Sequence, residues 1–159
     1  MNDVYVLLGS NINPEKNILL ALEYLDRNFK ILQVSNTWQT KPIGSSADDF
    51  LNTAVRLETA LSAYDLKEKC LCQIEEVLGR IRQSDKNAPR TIDLDIVVFN
   101  GKVIDDAVFK YDHLVLPFSE LIPDLVGPEN KVPLKILAEE MIQKTLAKKF
   151  KFLLPPFEK

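Results

Sequence analysis

The chain has 159 residues, of which 46% are hydrophobic and 27% charged, and its formal net charge at neutral pH is −3. We therefore expect a single folded domain over residues 1–159 with a buried core and without a fused second enzyme. The acidic balance argues against nucleic-acid binding, and no apolar run is long enough for a membrane span or a signal peptide. We expect a cytoplasmic monomer, and the acidic balance means that any anion-binding site is local.

The two cysteines support the same cellular compartment. Cys70 and Cys72 lie two residues apart on a predicted helix, so their side chains point in different directions. This spacing disfavours a disulfide or a metal-binding pair and favours reduced thiols.

Hydrophobic periodicity predicts alternating strands and helices in the first hundred residues. The first helix begins after Asn13 as its N-cap, with Pro14 at its first position, and a Ser62-x-x-Asp65 capping box starts the second helix. The predicted strands cover residues 3–8, 30–39, 50–58 and 91–99. The second helix is expected to bury Leu66, Leu71, Ile74, Val77 and Leu78. This β-α-β-β-α-β order predicts a ferredoxin-like α+β fold, with helices packed on an antiparallel sheet.

The remaining residues add elements to this core. Asn100-Gly101 is typical of a hairpin turn, and it predicts a short extra strand over residues 102–104. Residues 133–150 show the pattern of an amphipathic C-terminal helix, and the Pro155-Pro156 tail is expected on the surface.

The fourth predicted strand carries two aspartates. Alternation places Asp93 and Asp95 on one face together with Val97 and Phe99. The other face has Ile92, Leu94, Ile96 and Val98. Side chains at i and i+2 lie about 6.5 to 7 Å apart, so two carboxylates can converge on one or two Mg²⁺ ions. The alternative is a charge pair that protects an edge strand from aggregation.

Arginines flank this carboxylate pair in the sequence. Arg80 and Arg82 close the second predicted helix, and Arg90 precedes the fourth strand. Guanidinium groups bind phosphate oxygens in bidentate fashion, while a carboxylate-held Mg²⁺ takes further phosphate oxygens as ligands. The combination predicts a polyphosphate site. The competing interpretation of Arg80 and Arg82 is a solvated helix C-terminus.

Residues 86–97 form the most specific motif of the chain. The motif is a basic residue, any residue, Gly or Ala, Pro, Arg, two further residues, Asp, an aliphatic residue, Asp and two aliphatic residues. It is preceded in order by Gly9-Ser10-Asn11, Thr40-Lys41-Pro42-Ile43-Gly44 and Phe50-Leu51-Asn52. Over about two thirds of its length the chain thereby resembles the 6-hydroxymethyl-7,8-dihydropterin pyrophosphokinases of folate biosynthesis.

The resemblance implies transfer of pyrophosphate from ATP to a pterin alcohol, with release of AMP. It assigns Asp93 and Asp95 to two magnesium ions that bridge the phosphates, with a single ion as the alternative. The ATP-binding residues that it implies are Glu75, Arg80, Arg82, Arg90 and Ile96. Arg80, Arg82 and the two aspartates are its catalytic set. For Glu75 the competing interpretation is an ordinary exposed carboxylate on a helix.

The pterin-binding residues follow from the same resemblance. Phe50 matches the stacking position, and Asn52 lies on the same strand face with one donor and one acceptor group for the ring edge. The implied substrate-binding set is Thr40, Pro42, Ile43, Phe50 and Asn52. Core packing is the alternative role for Phe50, and residues 9–11 are expected to form a supporting turn.

Residues 111–117 depart from the family pattern. Family members have a basic residue and a second stacking aromatic before a Leu-x-Pro sequence, whereas here the sole histidine, His113, leads directly into it. We expect His113 to be structural, with an ATP contact as the alternative. The shortened segment leaves open a catalytically weak or inactive relative that binds nucleotide or pterin. A third possibility, an RNA-binding ferredoxin-like module, would need exposed aromatic residues interleaved with basic ones, and the sequence has none.

Overall fold

The computed structural model describes residues 1–43, 48–80, 91–129 and 131–151. Gly44, Arg82, Arg90, the first half of the 86–97 motif and the Pro155-Pro156 tail lie outside these ranges. Within them, no helix combines the length and the apolar character needed to cross a membrane.

The described chain contains seven strands and five helices. The strands are β1 (Asn2–Ser10), β2 (Lys30–Val34), β3 (Thr37–Thr40), β4 (Phe50–Thr59), β5 (Asp93–Phe99), β6 (Lys102–Val103) and β7 (Lys148–Phe150). The helices are α1 (Pro14–Asn28), α2 (Ala63–Asp65), α3 (Cys72–Val77), α4 (Asp112–Leu121) and α5 (Leu134–Lys144). A π-helical segment (Leu66–Leu71) joins α2 to α3, and a 3₁₀ turn (Asp106–Phe109) precedes α4.

All seven strands form one antiparallel sheet in the order β6-β5-β1-β4-β3-β7, and β2 also pairs with β4. The predicted strand over residues 30–39 is two strands, β2 and β3, which pair with β4 in succession. Ser35 bridges the break, because its hydroxyl accepts a hydrogen bond from the Ala54 backbone N–H at 2.9 Å. Counted as one element, β2 and β3 complete the β-α-β-β-α-β core, so the ferredoxin-like α+β prediction is confirmed.

Helices cover both faces of the sheet. On one face, alternate β1 residues such as Val6 and Leu8 pack with Leu22 of α1 and Leu71 of the π-helical segment. On the other face, Leu7 and its neighbours pack against α4 and α5. β1 is consequently buried on both faces, as expected for the central strand of a three-layer arrangement.

The strand that carries the aspartates contains a β-bulge. Tyr5 of β1 is opposite Val98 and Val6 is opposite Ile96, so Val97 is the extra residue of β5. Val97 and Val98 therefore both pack on the α4 and α5 side, whereas Phe99 packs on the α1 side. The strict alternation predicted beyond Ile96 is wrong for Val98 and Phe99.

Two predicted helices also differ from the structure. The C-terminal helix ends at Lys144, because Thr145 is extended and its side chain and backbone N–H both bond the Met141 carbonyl. Residues Lys148–Phe150 then form β7 at the sheet edge, where a helix was predicted. In the second helical region the π-helical segment interrupts the α-helix, and Val77 is 63% exposed rather than buried.

Other local predictions are confirmed. The Asp65 backbone N–H bonds the Ser62 hydroxyl at 3.1 Å, which caps α2. Asn100 and Gly101 both have positive φ, of 50° and 81°, as a tight hairpin turn into β6 requires. α1 begins at Pro14, although Asn13 makes no side-chain cap; instead the Asn17 amide donates to the Ile12 carbonyl at 2.6 Å.

Glu120 of α4 ties this helix to the β2–β3 region. One carboxylate oxygen accepts the Trp38 indole N–H at 2.8 Å, and the other accepts the Asn36 backbone N–H at 2.8 Å. Trp38 is only 5% exposed, so loss of Glu120 would leave its indole N–H unpaired inside the protein.

We expect Glu120→Ala to lower the free energy of unfolding by about 1–2 kcal/mol, because a buried donor loses its acceptor. Urea unfolding followed by the fluorescence of Trp38, the only tryptophan, measures this change directly. Glu139→Ala, at an exposed position of α5, is the matched control and should change stability by less than about 0.5 kcal/mol. Equal stabilities of the two variants would contradict the role of Glu120.

Candidate active site

Glu75 is the buried centre of the carboxylate region. Its side chain is 1% exposed, and Oε2 accepts the Leu94 backbone N–H at 2.8 Å. The same oxygen lies 2.9 Å from Arg80 Nη1 and 3.4 Å from Lys67 Nζ. A buried carboxylate needs such charged and hydrogen-bonding partners. The exposed-carboxylate interpretation of Glu75 is therefore wrong.

Arg80 connects Glu75 to the carboxylate pair. Its Nη1 donates to Asp93 Oδ1 at 2.8 Å, and its side chain is 14% exposed. Burial favours the neutral form of the guanidinium, but Asp93 and Glu75 outweigh burial and raise the pKa of Arg80 above its ordinary value. Arg80 is therefore a fixed positive charge beside Asp93.

Asp93 and Asp95 lie on the same face of β5, as predicted, and both line one pocket. Burial and then the neighbouring Asp93 charge raise the pKa of Asp95 from 3.8 to about 6, although Lys67 acts in the opposite direction. The two carboxylates thus repel each other and favour the binding of a cation.

Lys67 is a site residue that the sequence did not predict. It lies in the π-helical segment, and its ammonium donates to the Leu94 carbonyl at 2.5 Å and to Asp95 Oδ1 at 3.4 Å. Burial lowers the pKa of Lys67, but Asp95, Glu75 and Asp93 outweigh burial and raise it. A lysine on an amphipathic helix gives no signal that its side chain points inward, so the sequence pattern did not identify Lys67.

The donor set fits magnesium rather than a metal held by protein side chains alone. Among the described residues, no group of three or more His, Cys, Asp or Glu side chains converges as a metal site. Asp93 and Asp95 supply two hard carboxylate ligands. This number is typical of Mg²⁺, which completes its coordination with water and substrate phosphates.

The pocket beside the carboxylates has a volume of about 130 Å³. Thr40, Pro42, Ile43, Phe50 and Asn52, the complete predicted substrate-binding set, all line it. Its walls also include Gly9, Asp105 and His113. The structure thus brings together residues that the sequence had assigned to two separate subsites.

Backbone register explains why the two sets meet. Gly9 of β1 is opposite Asn52 of β4 on one side and opposite Asp93 of β5 on the other. Neighbouring strands lie about 4.8 Å apart, so this register separates Asn52 and Asp93 by about 10 Å. A side chain at Gly9 would start only 3.3 Å from Asn52 Oδ1, so glycine keeps the pocket floor clear.

Asn52 is oriented by its neighbours. It is 2% exposed, and its amide nitrogen donates to Thr40 Oγ1 at 2.8 Å and to the Trp38 carbonyl at 3.3 Å. Both amide hydrogens are thus directed to protein acceptors. In this orientation Asn52 offers its Oδ1 as an acceptor.

His113 lies on the first turn of α4, at the wall of the same pocket. Its ring stacks on Tyr111, with the ring centroids 5.8 Å apart and the planes inclined by 25°. The segment over residues 111–117 therefore places an aromatic ring at the pocket.

Of the predicted site residues that the structure describes, three do not line the pocket: Glu75, Arg80 and Ile96. Ile96 is 8% exposed and packs in the core on the α1 side, on the face of β5 opposite the carboxylates. Glu75 is buried and forms ion pairs with Arg80 and Lys67. Arg82 and Arg90 are outside the described residues, so their assignments stay predictions.

Residues 5–123 match the family described as 7,8-dihydro-6-hydroxymethylpterin-pyrophosphokinase (HPPK). The chain belongs to this family. The matched range contains the carboxylate pair and every pocket residue described above, and it confirms the recognition made from the motifs. HPPK members are pyrophosphokinases.

Individual HPPK proteins are similar to this chain in sequence and in fold. The 2-amino-4-hydroxy-6-hydroxymethyldihydropteridine pyrophosphokinase of Methylorubrum extorquens is 34% identical over 138 residues, which cover 79% of this chain and 86% of the relative. Folic acid synthesis protein FOL1 of Dictyostelium discoideum is 33% identical over 137 residues, which are 80% of this chain but only 20% of that protein. The crystal structure of Plasmodium falciparum HPPK-DHPS has a TM-score of 0.68 at 12% identity, covering 91% of this chain and 44% of that one, and shows a shared fold.

The raised pKa of Asp95 makes stability depend on pH. The native state binds more protons than the unfolded chain between pH 3.8 and about 6, so stability falls as the pH rises through this window. We expect Asp95→Asn to be more stable than the wild type at pH 8 by up to about 1 kcal/mol. The gain is no larger because the Asp95 side chain is half-exposed and solvent screens its charge. At pH 4 the difference should vanish.

Urea unfolding in metal-free buffer with a chelator measures this difference at both pH values. Asp124→Asn is the control, because the Asp124 side chain is 81% exposed and distant from the pocket. A stability gain that is the same at pH 4 and pH 8 would contradict the assigned cause.

Proposed function

We propose that the chain transfers pyrophosphate from MgATP to the hydroxymethyl group of 6-hydroxymethyl-7,8-dihydropterin, releasing AMP, in folate biosynthesis. The observation that carries the proposal is the register of Gly9, which holds Asn52 and Asp93 at opposite sides of one pocket. Family membership supports the same reaction.

ATP is the co-substrate in this proposal, and Asp93 and Asp95 are the residues that would hold magnesium, as two ions or as one bridging ion. When bound, magnesium supplies positive charge to the phosphate oxygens. Arg80 places a positive side chain beside Asp93, in addition to the charge of magnesium. Arg80, Arg82 and Arg90 are all assigned to the binding of ATP. Glu75 acts through the side chains that it holds, because its own carboxylate is buried. Ile96 is also assigned to the ATP site.

In the reaction, the pterin hydroxymethyl oxygen forms a bond to the β-phosphorus, and the bond from that phosphorus to the oxygen of the α-phosphate breaks. AMP leaves with the electron pair, and the hydroxyl proton is released. Such a transfer depends mainly on positioning and on charge stabilisation, which Arg80 and the carboxylates are placed to provide.

The pocket walls suit a flat, polar heterocycle. Phe50 provides an aromatic wall, Asn52 Oδ1 accepts a hydrogen bond from the ring edge, and the backbone around Pro42 and Ile43 lines the rim. We assign His113 as a second planar wall, in place of the stacking aromatic that the shortened segment lacks. Its ring is braced by Tyr111.

Four further expectations belong to this proposal. The chain acts as one pyrophosphokinase domain over residues 1–159, as a monomer, without nucleic acid, and in the cytoplasm. The single sheet with helices on both faces supports the first of these expectations, the single domain.

The direct test is AMP formation from ATP by the purified protein with Mg²⁺ and 6-hydroxymethyl-7,8-dihydropterin. We expect AMP only when the pterin is present, and we expect Asp95→Asn to reduce the rate about 100-fold or more, because a charge-stabilising group is lost. Binding of ATP or pterin without AMP formation would instead favour the alternative, a weak or inactive relative that binds these ligands.

The wall role of His113 has its own test. Loss of one stacking ring is worth about 0.5–1.5 kcal/mol, so His113→Ala should raise the KM for pterin roughly three- to tenfold. The KM for MgATP should change by less than twofold, and His113→Phe should restore pterin binding. If His113 contacts ATP instead, the KM for MgATP rises in both variants.

A further inference from the structure

Lys67 occupies the position between the helical layer and the carboxylate pair. An ammonium group has three hydrogens to donate, and Lys67 directs them to the Leu94 carbonyl, Glu75 Oε2 and Asp95 Oδ1. Its side chain is 30% exposed, so it is only partly shielded from solvent.

The π-helical segment accounts for this inward position. In a regular α-helix, residues eight apart are rotated by about 80° about the axis, so Lys67 and Glu75 would not share one direction. The extra residue of a π-type turn between them changes this rotation, and such turns are frequent at functional sites.

We propose that Lys67 is a positioning residue of the metal site: its ammonium is the resident counter-cation of Asp95 and competes with magnesium for Oδ1 of that carboxylate. The inference rests on the magnesium site of the proposed function. Lys67 compensates the negative charge of the carboxylates when no metal is bound, and it releases Asp95 when the metal binds.

Electrostatics gives the direction of the effect. Lys67 carries a positive charge next to the atom that a second cation would bind, so its presence weakens magnesium binding. Without metal, the same charge offsets the repulsion among Asp93, Asp95 and Glu75. Removing it should therefore destabilise the metal-free protein and tighten magnesium binding, two changes of opposite sign that loss of packing alone would not produce.

The experiment is thermal unfolding of the full chain at pH 8 over a titration with MgCl₂ alone. For Lys67→Met, which keeps an unbranched stem without the charge, we expect a lower melting temperature without metal. The magnesium concentration for half-maximal stabilisation should fall at least fivefold. Lys67→Arg keeps the charge and should stay within twofold of the wild type.

Lys69→Met is the matched control. Lys69 lies in the same segment but is 68% exposed and pairs with Asp65 on the surface, so neither quantity should change. An unchanged or weaker magnesium response in Lys67→Met overturns the inference. If the wild type itself shows no magnesium stabilisation that Asp95→Asn removes, the metal site of the proposed function fails and the inference fails with it.

A second measurement needs no variant, in case Lys67→Met does not fold. Amine modification of the wild type, quantified by peptide mass spectrometry, should label Lys67 several times faster with MgCl₂ than without it, because its bond to Asp95 is released. The labelling rate of Lys69 should not respond. Equal labelling of Lys67 in both conditions overturns the inference.

Discussion

The site depends on one edge of β5, which no described strand covers beside Leu94. β6 pairs with only the end of β5, at Val98 and Phe99, so the backbone at Leu94 faces the helical layer instead of a strand. Glu75 accepts the Leu94 N–H and Lys67 donates to its carbonyl, which satisfies both buried groups. These two hydrogen bonds protect a strand edge, and they also place two charged groups beside Asp93 and Asp95.

Much of the fold follows from local patterns in the sequence. Strand alternation and the turn at Asn100 and Gly101 are local properties, and the structure reproduces them. The bulge at Val97 is not local, because it depends on how β5 aligns with β1 across the sheet. Lys148–Phe150 has helical composition and becomes a strand because β3 has an edge available for pairing.

The same distinction applies to the site. The shared face of Asp93 and Asp95 follows from a period of two, and that of Phe50 and Asn52 does as well, so sequence alone predicts both. Lys67 depends on a π-type turn, which hydrophobic periodicity does not reveal. The proximity of the two pairs depends on which residue of β1 lies between them, and this register is a tertiary property.

The glycine between Asn52 and Asp93 also limits how this protein can vary. The distance from Asn52 to Asp93 is two strand spacings, which main-chain hydrogen bonds fix and side-chain substitution cannot adjust. Any change in the size or shape of the accepted molecule must therefore arise at the rim, in the Pro42 loop or at the start of α4. The start of α4 places His113 at that rim, in a part of the pocket wall whose position strand register does not fix.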